Sequence, residues 1–175
     1  MSQRNTAKKQ ILQNNILYCC SLSMKKYIII FILALIGIYN AVYLSIPAYK
    51  YWNGADSLAL QSLPCDISDS LSCSGILQNS RAIIFSIGDF KVAFPMIALI
   101  VYPLLALLAL SGYIRKSITE AKILTWLALG GICFNSYVIY QEYVISIFCP
   151  LCALCSVIIV TIFFLSIFIW KWKKE

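Results

Sequence analysis

The stretch "FCPLCALCSVIIVTIFFLSIFIW", Phe148 to Trp170, decides the fold. It carries no charged residue, and about 20 apolar residues suffice to cross the hydrocarbon core of a bilayer. Three other runs are as long: Tyr27 to roughly Ala48, Val92 to Gly112, and Ile123 to about Ile147. Lipid offers no partner for an unpaired backbone group, so runs of this length form helices. None shows the polar/apolar alternation of barrel strands. The sequence therefore predicts an all-α, integral membrane four-helix bundle. Its spans cover about 27–48, 92–112, 123–147 and 148–170, with a long outer loop over 49–91. Residues 1–24 form an N-terminal leader, 25–172 the four-span domain and 173–175 a tail.

Composition agrees. Of 175 residues, 61% are apolar and 12% charged, and the mean hydropathy is +0.84. Soluble domains are roughly half apolar and about a quarter charged. The net charge of +7 does not mark a nucleic-acid partner, because the basic residues punctuate apolar runs instead of clustering among aromatics. "MKK", Met24 to Lys26, precedes the first run as it would a signal peptide. The apolar core is too long for one and no small-x-small cleavage site follows cleanly, so this run is read as an uncleaved span. Met24 is an alternative start to the chain.

Orientation follows from Lys and Arg in the connections. Eleven lie in the N-terminal flank (Arg4, Lys8, Lys9, Lys25, Lys26), in the connection between the second and third spans (Arg115, Lys116, Lys122) and in the tail (Lys171, Lys173, Lys174). Three, Lys50, Arg81 and Lys91, lie on the other side, beside Asp56, Asp66, Asp69, Asp89 and Glu142. Both termini are expected in the cytoplasm, and loop 49–91 and the mouth of the fourth span outside.

Four of eight cysteines then fall at the outer face: Cys65, Cys73, Cys149 and Cys152. Cys65 and Cys73 sit in a solvated segment rich in Asp and Ser, where an oxidising compartment would favour a structural disulfide. The Cys149–Cys152 pair alone is compatible with a structural bridge or half a zinc site. Two pairs at one membrane face also fit a relay of thiol–disulfide exchange. The thiolate is the attacking form, and the field at a helix N-terminus favours it. Cys149 and Cys152 open the fourth helix, one turn apart on one face, and Pro150 suits a first turn. There a dithiol can meet aqueous thiols on one side and a lipid-soluble acceptor on the other. A quinone, which takes two electrons and dissolves in lipid, is the obvious acceptor.

"CDISDSLSCSGILQNS" (Cys65 to Ser80), then a span, then "CPLC" opening the last helix, resembles the vitamin K epoxide reductase family, including its bacterial disulfide-forming members. The spacing Cys65-x7-Cys73, with Asp66 and Ser74 after the two cysteines, resembles the animal loop. "GDFKVAFP" (Gly88 to Pro95) resembles the bacterial lead into the second core helix. The resemblance covers about residues 25–172. It implies a bundle around a quinone, with a short amphipathic segment in the outer loop, for which "ILQNSRAIIFSI" (Ile76 to Ile87) is the candidate. Residue by residue, it implies that Cys152 reduces the quinone, Cys149 exchanges with the loop, Cys73 meets Cys149, and Cys65 meets an outer thioredoxin-like (DsbA-like) thiol protein. Two departures stand out. The tyrosine that animal members carry four residues after the second CxxC cysteine is Ser156 here, and no clear counterpart of their quinone-binding asparagine is found. Both favour ubiquinone or menaquinone over vitamin K epoxide. The resemblance implies a bacterial inner membrane as the expected location. Many bacterial relatives carry a fused thioredoxin-like domain; the chain ends at Glu175, so a separate partner is expected.

Other residues have two readings each. Asn135 and Glu142, seven apart, share a face of the third span, and polar groups in a span are functional suspects. Asn135 fits either a quinone carbonyl or an interhelical hydrogen bond, and Glu142 lies near the outer edge, open to water. Phe94, Tyr43 and Tyr140 either line a pocket or anchor at the interface. Cys155 and Cys133 read as small packing residues. Cys19 and Cys20 are lipidation sites or chance thiols. Three functions remain: a membrane oxidoreductase passing electrons from a thiol protein to quinone, a non-catalytic membrane protein with structural disulfides, and a zinc-holding scaffold. Zinc would be expected to recruit His, and the chain has none.

Overall fold

The computed structural model describes residues 2–54, 60, 63–68, 70–115 and 118–172, and of residues 2–23, 87, 118 and 172 the backbone alone. Cys19, Cys20, Lys116 and the tail 173–175 lie outside the described side chains. Helix α1 runs Ser2–Asn53, α3 Phe94–Arg115, α4 Ile118–Ile145 and α5 Pro150–Trp172. Between α1 and α3 lie the six-residue α2 (Cys73–Gln78), a 3-10 turn (Ser80–Ala82) and strands β1 (Ile83–Ile87) and β2 (Phe90–Ala93). Four segments are long and apolar enough to cross a membrane: Met24–Asn53, Phe94–Arg115, Thr119–Ile145 and Pro150–Lys171. The protein is a multi-pass helical bundle of the membrane.

Helix α1 packs on α3 and α5, and α4 packs on α5 and α3. Close approach needs small residues, as expected where lipid supplies no hydrophobic drive between helices. A Cβ on Gly37 of α1 would collide with the Tyr102 ring of α3, and one on Gly112 of α3 with the Tyr27 ring of α1. Large apolar side chains that face outward, among them Leu35, Leu107, Val157 and Phe164, suit a lipid surround.

The core has two parts. One, built on Ile30, Leu105, Leu124 and Ile162, fills the middle of the bundle. The other gathers Leu44, Leu60, Ile76, Leu77, Phe94 and Val138 around Cys73, Cys149 and Cys152. This second part is the loop folded down over the bundle end. The Trp52 indole donates to Leu77 O at 2.8 Å. The Asn53 side chain accepts from Lys91 N at 2.6 Å and donates to Lys91 O at 2.9 Å. Arg81 reaches Gln141 Oε1 of α4 at 3.2 Å.

The helix limits differ from the apolar runs. Helix α1 continues past Ala48 to Asn53, where its last residues bind the loop. Residues 90–93 are strand, so α3 starts at Phe94. The segment Ile76 to Ile87 is not one amphipathic element. The Asn79 side chain accepts from Arg81 N and caps the 3-10 turn, while β-branched and aromatic Ile83, Ile84 and Phe85 favour a pleated strand. Gly88, at φ +60°, makes the two-residue turn that pairs Ile87 with Phe90. The bundle is all-α, and a two-stranded hairpin stands in its loop.

Gly37→Val should destabilise the bundle by about 1–3 kcal/mol through overpacking, read as a lower thermal midpoint in detergent. Gly130→Ala, where nothing lies within 4 Å of the added methyl, should leave that midpoint unchanged or raise it.

Candidate active site

Two chain segments far apart in sequence meet at the loop end. Ser72 N donates to Phe148 O at 3.0 Å, and Phe148 N donates to Ser70 O at 2.8 Å, which makes a parallel bridge between Leu71 and Phe148. Each segment then turns into a helix. Ser72 is the N-cap of α2, its hydroxyl accepting from Gly75 N at 3.0 Å, and Cys73 is the first helical residue. On the other segment Pro150 opens α5, so Cys149 holds the N-cap position. Its sulfur accepts from Cys152 N at 3.3 Å, satisfying one of the donors a helix start leaves open. The bridge sets the two sulfurs side by side: Cys149 Sγ lies 3.3 Å from Cys73 Sγ.

Cys73 is bonded to Cys65, with Cα atoms 5.9 Å apart. Cys149 and Cys152 are free thiols. Burial grades across the four. Cys65 is half-buried, while Cys73, Cys149 and Cys152 are buried.

Asp66 organises the loop cysteines. Its carboxylate accepts from Leu63 N at 2.7 Å, from the Ser72 hydroxyl at 2.8 Å and from Ser74 N at 3.0 Å. Partial burial would raise its pKa, but the hydrogen bonds from Ser74, Leu63 and Ser72 outweigh that and hold it at about 2, below the ordinary 3.8. Asp66 therefore braces both cysteines of the disulfide.

Behind the sulfurs lies a cavity of about 290 Å³ between α1, α3, α4 and α5. Its walls are almost wholly apolar: Leu44, Phe94, Val101, Trp126, Phe134 and Ile159 among others. Cys152 and Cys155 face it, and Cys149 does not. The size is at the low end for small-molecule sites, and the lining suits a flat apolar ring. Asn135 makes the interhelical hydrogen bond, donating to Ser156 Oγ at 2.5 Å, and stands on the cavity wall. Phe94 is a wall residue. Tyr140 and Tyr43 are not among the lining residues; Tyr140 is 60% exposed and Tyr43 packs against the loop-side core.

Three residues matter here in ways the sequence did not announce. Asn40 of α1 donates to Leu151 O at 2.9 Å and to Cys155 Sγ at 3.0 Å, tying α1 to the first turns of α5. Tyr102 OH donates to Cys155 O at 3.2 Å. Glu142, expected at an edge open to water, is only 3% exposed. Its Oε2 lies 3.5 Å from Cys149 N. The signal available for Asn40 was a lone amide in an otherwise apolar span. Cys155 is no mere filler of the core, and Cys133 faces outward from α4.

A sequence profile of the vitamin K epoxide reductase family matches residues 28–167. The chain belongs to this family. A search of curated proteins finds no match. Family members are membrane thiol–disulfide oxidoreductases that use quinones and work with thioredoxin-like partners. The matched region contains all four cysteines of the site, the cavity and the helices that form it.

Because the folded pKa of Asp66 is depressed, its stabilising contribution is complete above about pH 3.8 and is lost as pH falls toward about 2. Protection factors of the Leu63 and Ser74 amides, exchange being corrected for its intrinsic pH dependence, should fall across that window. Asp66→Asn should exchange faster at neutral pH and show no further acid step.

Proposed function

We propose that the protein reoxidises a thioredoxin-like thiol protein and passes the electrons to a membrane quinone, ubiquinone or menaquinone. In this reading Cys65 and Cys73 receive electrons at the aqueous side, and Cys149 and Cys152 deliver them at the cavity. The loop end of the bundle faces out of the cytoplasm, the termini face in, and the membrane is a bacterial inner membrane. The observation that carries the reading is the division of the CxxC pair. Cys149 Sγ lies 3.3 Å from Cys73 Sγ, while Cys152, one turn on, lines the apolar cavity.

A partner thiolate attacks Cys65, the less buried half of the loop disulfide, and Cys73 leaves as thiolate. The second partner thiol resolves the mixed disulfide, so the partner is oxidised and the loop pair is reduced. Cys73 then attacks Cys149 of an oxidised Cys149–Cys152 pair, and Cys152 leaves. Cys65 resolves the Cys73–Cys149 bond and restores the loop disulfide. The state described, with the loop pair bonded and the CxxC pair free, is the one this exchange produces. A bound quinone supplies a two-electron, two-proton acceptor. The chain's part is to hold Cys152 against the cavity, to line it with apolar walls that exclude water, and to offer the Asn135 amide at its edge.

Cys152→Ser should lower quinone reduction by at least ~10³-fold with every donor, the scale expected when an essential nucleophile is lost, with no change in thermal midpoint. Cys65→Ser and Cys73→Ser should stop transfer from a thioredoxin-like protein and spare part of the rate with dithiothreitol. Equal loss with both donors counts against a relay. Cys65→Ala combined with Cys152→Ala should leave a Cys73–Cys149 crosslink in non-reducing peptide maps. Two unlinked thiols there, without turnover, would favour a structural framework, and tight stoichiometric zinc would favour a scaffold.

A further inference from the structure

Glu142 has no structural need to be acidic. It lies in the last turn of α4, at the helix end where the backbone field disfavours an anion. Its backbone is fixed by the turn that follows: Ile147 N donates to Glu142 O at 3.2 Å and Ser146 N to Tyr143 O at 3.2 Å. This pair closes α4, with Ser146 in the left-handed region at φ 56°. The carboxylate is thereby directed under the start of α5. Oε2 meets Cys149 N at 3.5 Å, Oε1 is buried with no hydrogen-bond partner among the described residues, and a carboxylate oxygen and the sulfurs of Cys149 and Cys152 all lie within 4.8 Å of one another.

Among the described residues no cation neutralises it. From α5 it meets two thiols. Cys73, from the loop, is bonded to Cys65 and does not titrate. Arg81, from the 3-10 turn, directs its guanidinium to Gln141. Asp66 is engaged with Leu63, Ser72 and Ser74. Glutamine would serve the contact with Cys149 N equally well, and a buried carboxylate without a cation is costly. What glutamine cannot do is take up a proton.

We propose that Glu142 is the proton acceptor and donor of the CxxC pair. As the pair is oxidised, the carboxylate takes the Cys152 thiol proton and leaves the thiolate that reacts. Two S–H bonds break and one S–S bond forms. Two electrons and two protons leave for the quinone, which becomes hydroquinone, and Glu142 returns to carboxylate. In the internal exchange the same group takes up the proton that Cys73 gives up as it attacks Cys149 and hands it to Cys152 as it leaves; the proton Cys65 gives up as it restores the loop disulfide goes to Cys149. The quinone half rests on the function proposed above; the exchange half does not.

The test uses the full-length protein in detergent, as wild type, Glu142→Gln and Glu142→Asp. The first measurement is single-turnover reduction of the Cys149–Cys152 disulfide by dithiothreitol, without quinone, across pH. Glu142→Gln should be slower by ~10²-fold or more, the usual scale of general acid–base help, and Glu142→Asp should recover part of the rate and the wild-type pH profile. The second is alkylation of Cys152 by N-ethylmaleimide. It should become slower in Glu142→Gln at a given pH, because the group that takes the Cys152 thiol proton is gone, and Glu142→Asp should recover part of the rate. Slower exchange and slower alkylation at an unchanged thermal midpoint, both partly restored by Glu142→Asp, separate proton transfer from a packing defect. Unchanged exchange in Glu142→Gln, or loss with an equal loss in Glu142→Asp and a lowered thermal midpoint, overturns the proposal. Absence of quinone reduction by the wild type would count against the quinone reading alone and leave the exchange result standing.

Discussion

The site depends on one short piece of backbone pairing. Two hydrogen bonds between residues 70–72 and Phe148 join a loop to the connection between two membrane helices. Net, such bonds are worth only about 0.5–1.5 kcal/mol each, yet they settle a geometric question that packing alone would leave open. Cys73 follows Leu71 by two residues and Cys149 follows Phe148 by one. Fixing the register of the bridge therefore fixes the distance between the sulfurs. Both chains bend into helices immediately afterwards, which directs the two cysteines inward instead of along the membrane surface.

Around that bridge the loop is held from several directions. Asp66 binds the backbone on both sides of the disulfide, Trp52 and Asn53 extend α1 to meet it, and Arg81 reaches α4. The small hairpin returns the chain to the start of α3 in a defined position. The described part of this loop rich in Ser and Asp is thus a cap held on the bundle, with Cys73 wholly buried beneath it. Cys65 alone of the four cysteines stays half-buried, so access from water and contact with the bundle are given to different members of one disulfide.

Much of this was legible in the residues. Long uncharged apolar runs admit few structures in lipid, and a CxxC at the head of one can only sit at a boundary. The hairpin was harder to read, because in a short segment a β-branched stretch and an amphipathic turn look alike until Asn79 and Gly88 are seen to punctuate it. Helical phase explains two further results. Asn135 and Glu142, seven residues apart, are within about 20° of each other around α4, whereas Tyr140 is about 140° from Asn135; the first two face the site and the third faces away. The burial of Glu142 could not be read from its place near the end of a span. It comes from the turn at Ser146, which folds the start of α5 over the end of α4.

The same geometry bears on how far anything must move. Exchange between two cysteine pairs distant in sequence would ordinarily need a loop that swings to the mouth of the last helix. The loop is instead already there. A disulfide needs its sulfurs about 2.0 Å apart, and those of Cys73 and Cys149 are 3.3 Å apart. The gap to be closed is on the order of 1 Å, within reach of a side-chain rotation and far short of a loop displacement. What limits an exchange between the two pairs is then not encounter but charge. Three sulfurs and a carboxylate crowd into a space sealed from water, where every anion formed must be neutralised locally. A group able to hold a proton beside Cys149 and Cys152 meets that constraint, and Glu142 is the residue the chain places there.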